Sequence, residues 1–400
     1  MTRKKQYSVG LFQPYLRNHI LNFGRLLKFG VFDYQKPKIP SGGYAHLPSF
    51  DKEVLRTKTG WIVRLRRLLG VPNVRIRRET KHDMLFTYGC LLITNRPYCT
   101  YIETGLALYN YDLQIARHPV ARFIVSWLAT RANCKQLIFM SQASKKSFFA
   151  TVHYPAAVRR ILERKSCVVY PIVPSKMNKP KQMGARLKLL FPGTFYIKGG
   201  MEVVHAFERL RQLSKHVELT IITAVHMLRQ EDRELMSALP GLALIDAKLS
   251  EQEMVAMYES HDIFLLPTFR EGFGLVGVEA LSYGLPIIAT DQYAVAEMVE
   301  DGRNGFLYPN HPLKDYDPST YRMLGRYHNP KDFYTDLFRY QRQGTLKPVE
   351  DFLVRSIEQF LKNPTMLEQY SKASLELYRK RFDAQTLSDQ IEHVFLDAVA

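Results

Sequence analysis

The chain has 400 residues, 46% apolar and 24% charged, with a formal net charge of +18. At roughly 150 residues per domain that is enough for two domains, and the composition excludes a disordered chain, a collagen-like repeat and a bare coiled coil. The four cysteines (Cys90, Cys99, Cys134 and Cys167) show no short paired spacing, which argues against a disulfide scaffold or zinc ribbon and suits a reducing compartment.

In chain order, residues 7–12 read as a first strand. Residues 35–60, rich in Pro, Gly and Lys, read as loop. Residues 84–87, 98–102 and 137–140 are later strands, with a helical pattern at 119–130. Residues 176–183 are polar and irregular and predict an interdomain linker. The second half alternates more clearly. Strands are expected at 187–191, 217–223, 242–245, 263–266 and 286–290. Helical stripes fall between them, one opened by the Ser250–Glu253 capping pattern, another at 276–283, and a short one at 294–299. This alternation predicts a parallel, doubly wound sheet. Residues 310–348 have no clean period and read as an insertion, and 350–395 is helical with a break at Asn363-Pro364.

The charge is uneven. Residues 1–180 hold 31 Lys+Arg against 8 Asp+Glu, whereas residues 181–400 hold 25 against 30. Two domains with different partners are expected, the first attracted to nucleic acid, anionic lipid or an acidic substrate. The basic start leads into no apolar signal core, and the longest uncharged run in the amino-terminal half is 12 residues, 84–95. A membrane-spanning helix needs about 18–20 apolar residues, so none is expected.

The strongest local feature runs from Pro267 through Glu271-Gly-Phe-Gly274 to Glu279, where a strand ends, a Gly-rich loop follows and a helix begins. Ligands bind beyond the carboxyl ends of strands in open α/β sheets. Gly272 and Gly274 permit close backbone approach, and the first amides of the helix favour an anion. Two carboxylates beside them suit sugar hydroxyls, so a nucleotide sugar fits; a tight turn with two solvated glutamates has the same pattern. Gly193-Thr-Phe-Tyr-Ile-Lys198-Gly-Gly also follows a strand and opens a helix. A lysine there can neutralise a diphosphate leaving group, or simply sit exposed beside a turn.

Taken together, Glu271-Gly-Phe-Gly, the segment from Glu279 to Thr290, Glu297 and Asp301-Gly-Arg-Asn-Gly-Phe-Leu307 resemble the donor domain of family-4 retaining glycosyltransferases of GT-B fold. The family's hallmark is a pair of glutamates separated by seven residues, as Glu271 and Glu279 are; the Lys198 loop resembles its lysine-glycine segment. The resemblance covers about residues 187–309 and again 350–400.

It implies two Rossmann-like, doubly wound domains facing a central cleft. Residues 1–178 would bind the acceptor. Residues 179–382 would bind the nucleotide sugar, and 383–400 would cross back to the first domain. It also implies transfer of a hexosyl group from a UDP- or GDP-linked sugar to a glycan or lipid-linked acceptor in surface polysaccharide or cell-envelope glycan synthesis. No metal and no further cofactor are expected. Glu271 would contact the donor sugar, and the amides of Gly272, Phe273, Gly274 and Leu275 the sugar and phosphate. Glu279 would accept the ribose hydroxyls, and Lys198, with Gly193 and Thr194, would hold the diphosphate as the glycosidic bond breaks.

The departures concern the acceptor side and one phosphate cation. Thr194 stands where the family has an arginine, and the spacing from Gly193 to Lys198 is one residue short. The paired glycines after the first strand are replaced by Gln13-Pro14-Tyr15, and Ser41-Gly-Gly43 comes late. Glu103, in Thr100-Tyr-Ile-Glu-Thr-Gly105, takes the usual place of an acceptor-side histidine, or is an ordinary loop glutamate. A non-catalytic GT-B protein that binds glycan or lipid is the alternative these departures leave.

Residues 56–81 hold nine Lys+Arg and one acid, Glu79. Trp61, Ile62, Leu65, Leu68 and Leu69 fall at helical spacing among Arg64, Arg66 and Arg67. The apolar face is expected to pack on its own domain, and the charge to meet an anionic membrane. That makes the protein cytoplasmic and peripheral to the inner membrane face. Nucleic acid has charge in its favour but no binding motif.

Overall fold

Short apolar runs closed by Pro or Gly form strands, and the longer amphipathic stripes between them form helices. The computed structural model describes residues 7–12, 18–33, 60–77, 81–309, 311–327 and 330–400. The first sheet contains β1 (Tyr7–Phe12), β2 (Gly30–Asp33), β4 (Met84–Tyr88), β6 (Tyr98–Ile102), β7 (Cys134–Phe139) and β8 (Ser166–Val168), while β3 (Val74–Ile76) pairs separately with β5 (Leu91–Ile93). Its order is β2-β1-β4-β6-β7-β8, parallel throughout. The second sheet contains β9 (Leu187–Pro192), β10 (Val217–Thr223), β11 (Leu242–Asp246), β12 (Ile263–Leu266), β13 (Ile287–Thr290) and β14 (Gly305–Tyr308). It runs β11-β10-β9-β12-β13-β14, also parallel.

This order sets the site. The chain steps from β9 to β10 and β11 on one side, then returns to β12 on the other, so its winding reverses between β9 and β12. The loops leaving those two strands diverge and open a crevice at their carboxyl ends. The first sheet reverses in the same way between β1 and β4. One apolar cluster runs through both domains, from Val9 and Phe86 through Met140 to Phe273 and Val295.

Three segments cross between the domains. Residues 169–186 contain no helix or strand, as a linker should, yet they are tied down. The Tyr378 hydroxyl donates to the Val173 carbonyl at 2.5 Å. Lys181 is buried and its ammonium donates to the carbonyls of Tyr258 and Glu259, closing the end of the helix Glu251–Ser260. The helix Ala384–Val399 lies on the first domain, with the Phe395 ring 5.3 Å from Phe86. Its Glu392 accepts from the Lys28 and Phe29 amides at 3.0 and 2.6 Å.

The third crossing lies in the stretch 310–348, read from the sequence as an insertion with no clean period. That stretch contains a 13-residue helix, Pro330–Arg342, whose Phe333 and Leu337 are buried. Ahead of it, residues 311–327 reach the first domain: the Met323 amide donates to the Thr151 hydroxyl at 3.0 Å, and Gly325 packs against Leu113. Tyrosine rings scatter the apolar period here because they pack on each other, as Tyr316 does on Tyr293 and Tyr321.

The expectation for the helix Gly60–Leu69 is also overturned. Its apolar residues are not packed on the domain: Trp61 is 64% and Leu68 74% exposed. The short 294–299 helix is a 3-10 turn, Tyr293–Glu297. The predicted loop at 35–60 lies outside the described residues except for Gly60, which opens the helix. Gln13-Pro14-Tyr15 and Ser41-Gly-Gly43 lie outside them too.

Candidate active site

Glycines let the two crevice loops meet. After β9, Gly193 adopts φ +140° and Gly199 φ +79°. A Cβ on Gly199 would lie 2.4 Å from the Pro267 carbonyl oxygen, so the first loop can press on the second only without a side chain there. The Phe269 amide then donates to the Ile197 carbonyl at 2.9 Å, tying the loops together. Thr194 is exposed at the first loop's tip, and its carbonyl accepts from the Lys198 amide at 3.0 Å.

This turn throws the Lys198 side chain across the crevice, where its ammonium forms an ion pair with Glu271 Oε2. Both side chains are mostly buried. The other Glu271 oxygen accepts from the Gly272 amide at 3.0 Å. Burial pushes the Lys198 ammonium down to about 8, with the negative charge of Glu103 acting the other way. Gly274, at φ +93°, ends the second loop and caps the helix Leu275–Ser282. Phe273 is buried with its ring 6.2 Å from Tyr170, so its side chain belongs to the domain interface and only its backbone faces the crevice loop.

Glu279 lies on that helix. Tyr258 donates to its Oε2 at 2.8 Å, and burial raises its carboxyl above the ordinary carboxylate range, with Lys176 opposing. Tyr258 is itself stacked on Tyr283 at 5.0 Å, which fixes the phenol and hence the carboxylate.

Glu103 joins this constellation from the other domain. It leaves the carboxyl end of β6, and a Cβ on Gly272 would lie 2.7 Å from its Oε1. Tyr88 donates to Glu103 Oε2 at 2.6 Å, and Tyr111 reaches the same oxygen at 3.4 Å. The structure thus brings Lys198, Glu271, Gly272 and Glu103 together across the cleft. Arg270, the neighbouring cation, turns away over the Phe333 ring at 5.8 Å and towards Asp315.

Sequence reasoning missed the tyrosines that hold these carboxylates, because 23 tyrosines are spread along the chain and none has a distinctive spacing. It also gave Glu297 no task. Glu297 accepts from the Gln142 and Ala143 amides at 3.1 and 2.8 Å and from the Tyr170 hydroxyl at 2.6 Å. A carboxylate of one domain thereby caps the first turn of the helix Gln142–Thr151 in the other, where negative charge is favoured.

Residues 186–318, which carry Lys198, Glu271 and Glu279, match the family described as glycosyl transferases group 1. The similarity to that family is confined to this part of the carboxy-terminal domain. Among curated relatives, the chain is 27% identical over 156 residues to D-inositol 3-phosphate glycosyltransferase of Arthrobacter sp. (strain FB24). The match covers 35% of this chain and 37% of the relative, so the chain spans little more than a third of the length of that relative. Solved structures match end to end. A glycosyltransferase from Rickettsia africae ESF-5 aligns over 99% of both chains with a TM-score of 0.63 at 12% identity. Anabaena HepE in complex with UDP and glucose aligns over 98% of this chain and all of its own, with a TM-score of 0.58 at 13% identity. The fold is GT-B: two parallel-sheet α/β domains facing a cleft.

Proposed function

We propose that the protein is a retaining glycosyltransferase. It moves a hexosyl group from a UDP- or GDP-linked sugar to a glycan or lipid-linked acceptor in surface polysaccharide or cell-envelope glycan synthesis. The observation that carries this reading is the meeting of Lys198, Glu271 and Glu103 where the two crevices face each other. Support comes from the glycosyltransferases among its relatives and from neighbours crystallised with UDP or UDP-glucose.

On this reading the diphosphate enters between the Gly193–Gly199 loop and the first turn of Leu275–Ser282, and Lys198 exchanges its partner Glu271 for the phosphates. Glu271 is released to hydroxyls of the sugar, and Glu279, held by Tyr258, takes the ribose. The bond from the anomeric carbon to the diphosphate breaks with its electron pair going to the phosphate oxygen. Lys198 stabilises that growing charge. The acceptor oxygen attacks from the same face, which retains configuration, and its proton passes to the departing phosphate oxygen. Glu103, fixed by Tyr88, orients the groups on the acceptor side. No cofactor beyond the donor takes part. The protein works at the cytoplasmic face of an anionic membrane; among the described residues no helix is long and apolar enough to cross one.

The test is release of nucleoside diphosphate from UDP- and GDP-sugars in the presence of cell-envelope acceptor lipids, with retention read by NMR of the product. Loss of release in Lys198→Ala is expected. A protein that binds the donor but releases nothing would be the non-catalytic glycan- or lipid-binding alternative, for which Thr194 in place of a second phosphate cation is the supporting observation.

A further inference from the structure

Among its described residues, the amino-terminal domain carries large apolar side chains that are left exposed. On the helix Gly60–Leu69, Trp61, Leu65 and Leu68 project along one line and are all exposed. On the helix Pro119–Thr130, the buried face is Ala121, Val125 and Leu128, while Val120, Phe123 and Trp127 form a second line pointing outward. Phe123 is 70% and Trp127 47% exposed. At 3.6 residues per turn both triplets fall within a narrow arc of their helices.

The two helices are neighbours. Gly70, just past the first, lies against the ring of His118, the N-cap of the second. Arg67 is tied to Asp112 at 2.5 Å in the connection between them. Beside them, Ile76 and Ile93 pair across β3 and β5 and are exposed as well. Large apolar side chains left exposed on neighbouring elements mark an interaction surface.

The charge around the patch identifies the partner. Residues 60–77 contain five arginines and residues 117–135 three arginines and a lysine, and neither stretch contains an acidic residue. A second copy of the same face would bring two like-charged surfaces together. Nucleic acid would find the cations but nothing to do with Leu65, Leu68 and Val120. A bilayer surface uses both: arginines meet anionic headgroups while Trp, Phe and Leu enter the boundary of the acyl chains. We propose that the helices Gly60–Leu69 and Pro119–Thr130 together form a docking face for anionic membrane, with the second helix supplying the aromatic wedge.

The other side of the helix Gly60–Leu69 looks towards the cleft. Val63 and Arg66 line a cavity of about 260 Å³ together with Tyr111, whose hydroxyl points at Glu103. If the cleft transfers sugar as proposed above, docking brings a membrane-held acceptor to its Glu103 end; the docking itself stands without that reading.

The chain has two tryptophans, Trp61 and Trp127, and both lie in this face, so its intrinsic tryptophan fluorescence reports on nothing else. The experiment titrates the full chain with vesicles of phosphatidylcholine alone and of phosphatidylcholine with phosphatidylglycerol, at low and high salt, alongside sedimentation. A blue shift and pelleting are expected with the anionic vesicles only, weakening as salt shortens the Debye length from ~10 Å at 0.1 M to ~3 Å at 1 M. Phe123→Ser with Val120→Ser should lower vesicle affinity at least tenfold. Arg64→Gln with Arg66→Gln should flatten the salt dependence. Because all four residues are on the surface, an unchanged thermal melt and unchanged donor binding separate this loss from misfolding and from failure of the cleft chemistry. No spectral change with either vesicle overturns the proposal. So does a blue shift that follows protein concentration without lipid, which means self-association, or one produced by an oligonucleotide instead of vesicles.

Discussion

Glu103 and Gly272 lie in contact across the cleft, one at the end of β6 and the other in the loop after β12. A methyl group on Gly272 would sit 2.7 Å from Glu103 Oε1. Within its own domain Glu103 is held by Tyr88 at 2.6 Å, and its approach to Gly272 exists because the two domains face each other across the cleft.

Gly272→Ala therefore probes this contact directly. The backbone of Gly272 is not in the left-handed region, so alanine is sterically acceptable to the chain, and the group in its way is the mobile end of a side chain. The stability cost should stay below about 1 kcal/mol. Displacing Glu103 from Tyr88 should lower turnover at least tenfold. Full activity together with an unchanged melt would show that Glu103 has no positional role.

The Lys198 ammonium is held down to about 8 by burial, against 10.5 ordinarily. Between these values the unfolded chain binds the proton and the folded chain does not, so this group's contribution to stability rises with pH from about 8 to 10.5. Activity runs the other way, because only the charged form stabilises the leaving group. The kcat/KM profile should fall above about pH 8, and kcat, measured with the diphosphate bound beside the lysine, at a higher pH. Lys198→Ala should reduce kcat far more than it raises KM. A flat alkaline limb, or turnover that survives Lys198→Ala, rules out this role.

Glu279 and Glu271 are expected to divide the donor between them. Glu279→Ala should weaken binding of free nucleoside diphosphate by about 1–3 kcal/mol, and Tyr258→Phe by about 1 kcal/mol through loss of one hydrogen bond. Glu271→Ala should weaken the intact nucleotide sugar more than the free nucleotide. Calorimetry with both ligands decides; equal effects of the two glutamate variants on free nucleotide would end the division of roles.

Glu297 couples the domains through the amides of Gln142 and Ala143. Glu297→Ala removes both the cap and its charge, a loss of about 0.5–2 kcal/mol. The Tyr170 hydroxyl loses its acceptor as well. The expected outcome is a lower melting temperature and a larger radius of gyration by X-ray scattering, with Glu297→Gln intermediate. An unchanged radius would mean that other contacts, such as that of Met323 with Thr151, hold the domains without it.

Glu202, in the first turn of the helix Gly200–Leu213, is 1% exposed and its Oε2 has no hydrogen-bond partner among the described residues, although Gln341 donates to Oε1 at 2.9 Å. Burial pushes its carboxyl up to about 7 from 4.5. A raised carboxyl contributes stability below the unfolded value and loses it as pH rises through about 7. Glu202→Gln should therefore stabilise the protein at pH 8 by about 1–3 kcal/mol and change little at pH 4.5. A stabilisation independent of pH would point to packing instead of ionisation.

By itself the sequence determined the parallel second domain and the place of its ligand loops. Runs such as residues 187–192 and 263–266 are apolar, short and closed by proline, and the glycines that follow permit the positive φ and close approach that Gly193, Gly199 and Gly274 show. These are properties of neighbouring residues, and local stereochemistry writes them into composition and spacing. Tertiary structure alone decided the rest. It brought Glu103 to Gly272 over a separation of 169 residues, chose Tyr88 and Tyr258 from many tyrosines, and carried residues 311–327 across to Thr151. It also left Trp61 and Leu68 in the open, where the helical spacing pointed to a packed face. The physical reason is that a 3.6-residue period records only that a helix has an apolar side. Whether that side meets its own domain or another surface depends on residues distant in the chain, and no local pattern carries them.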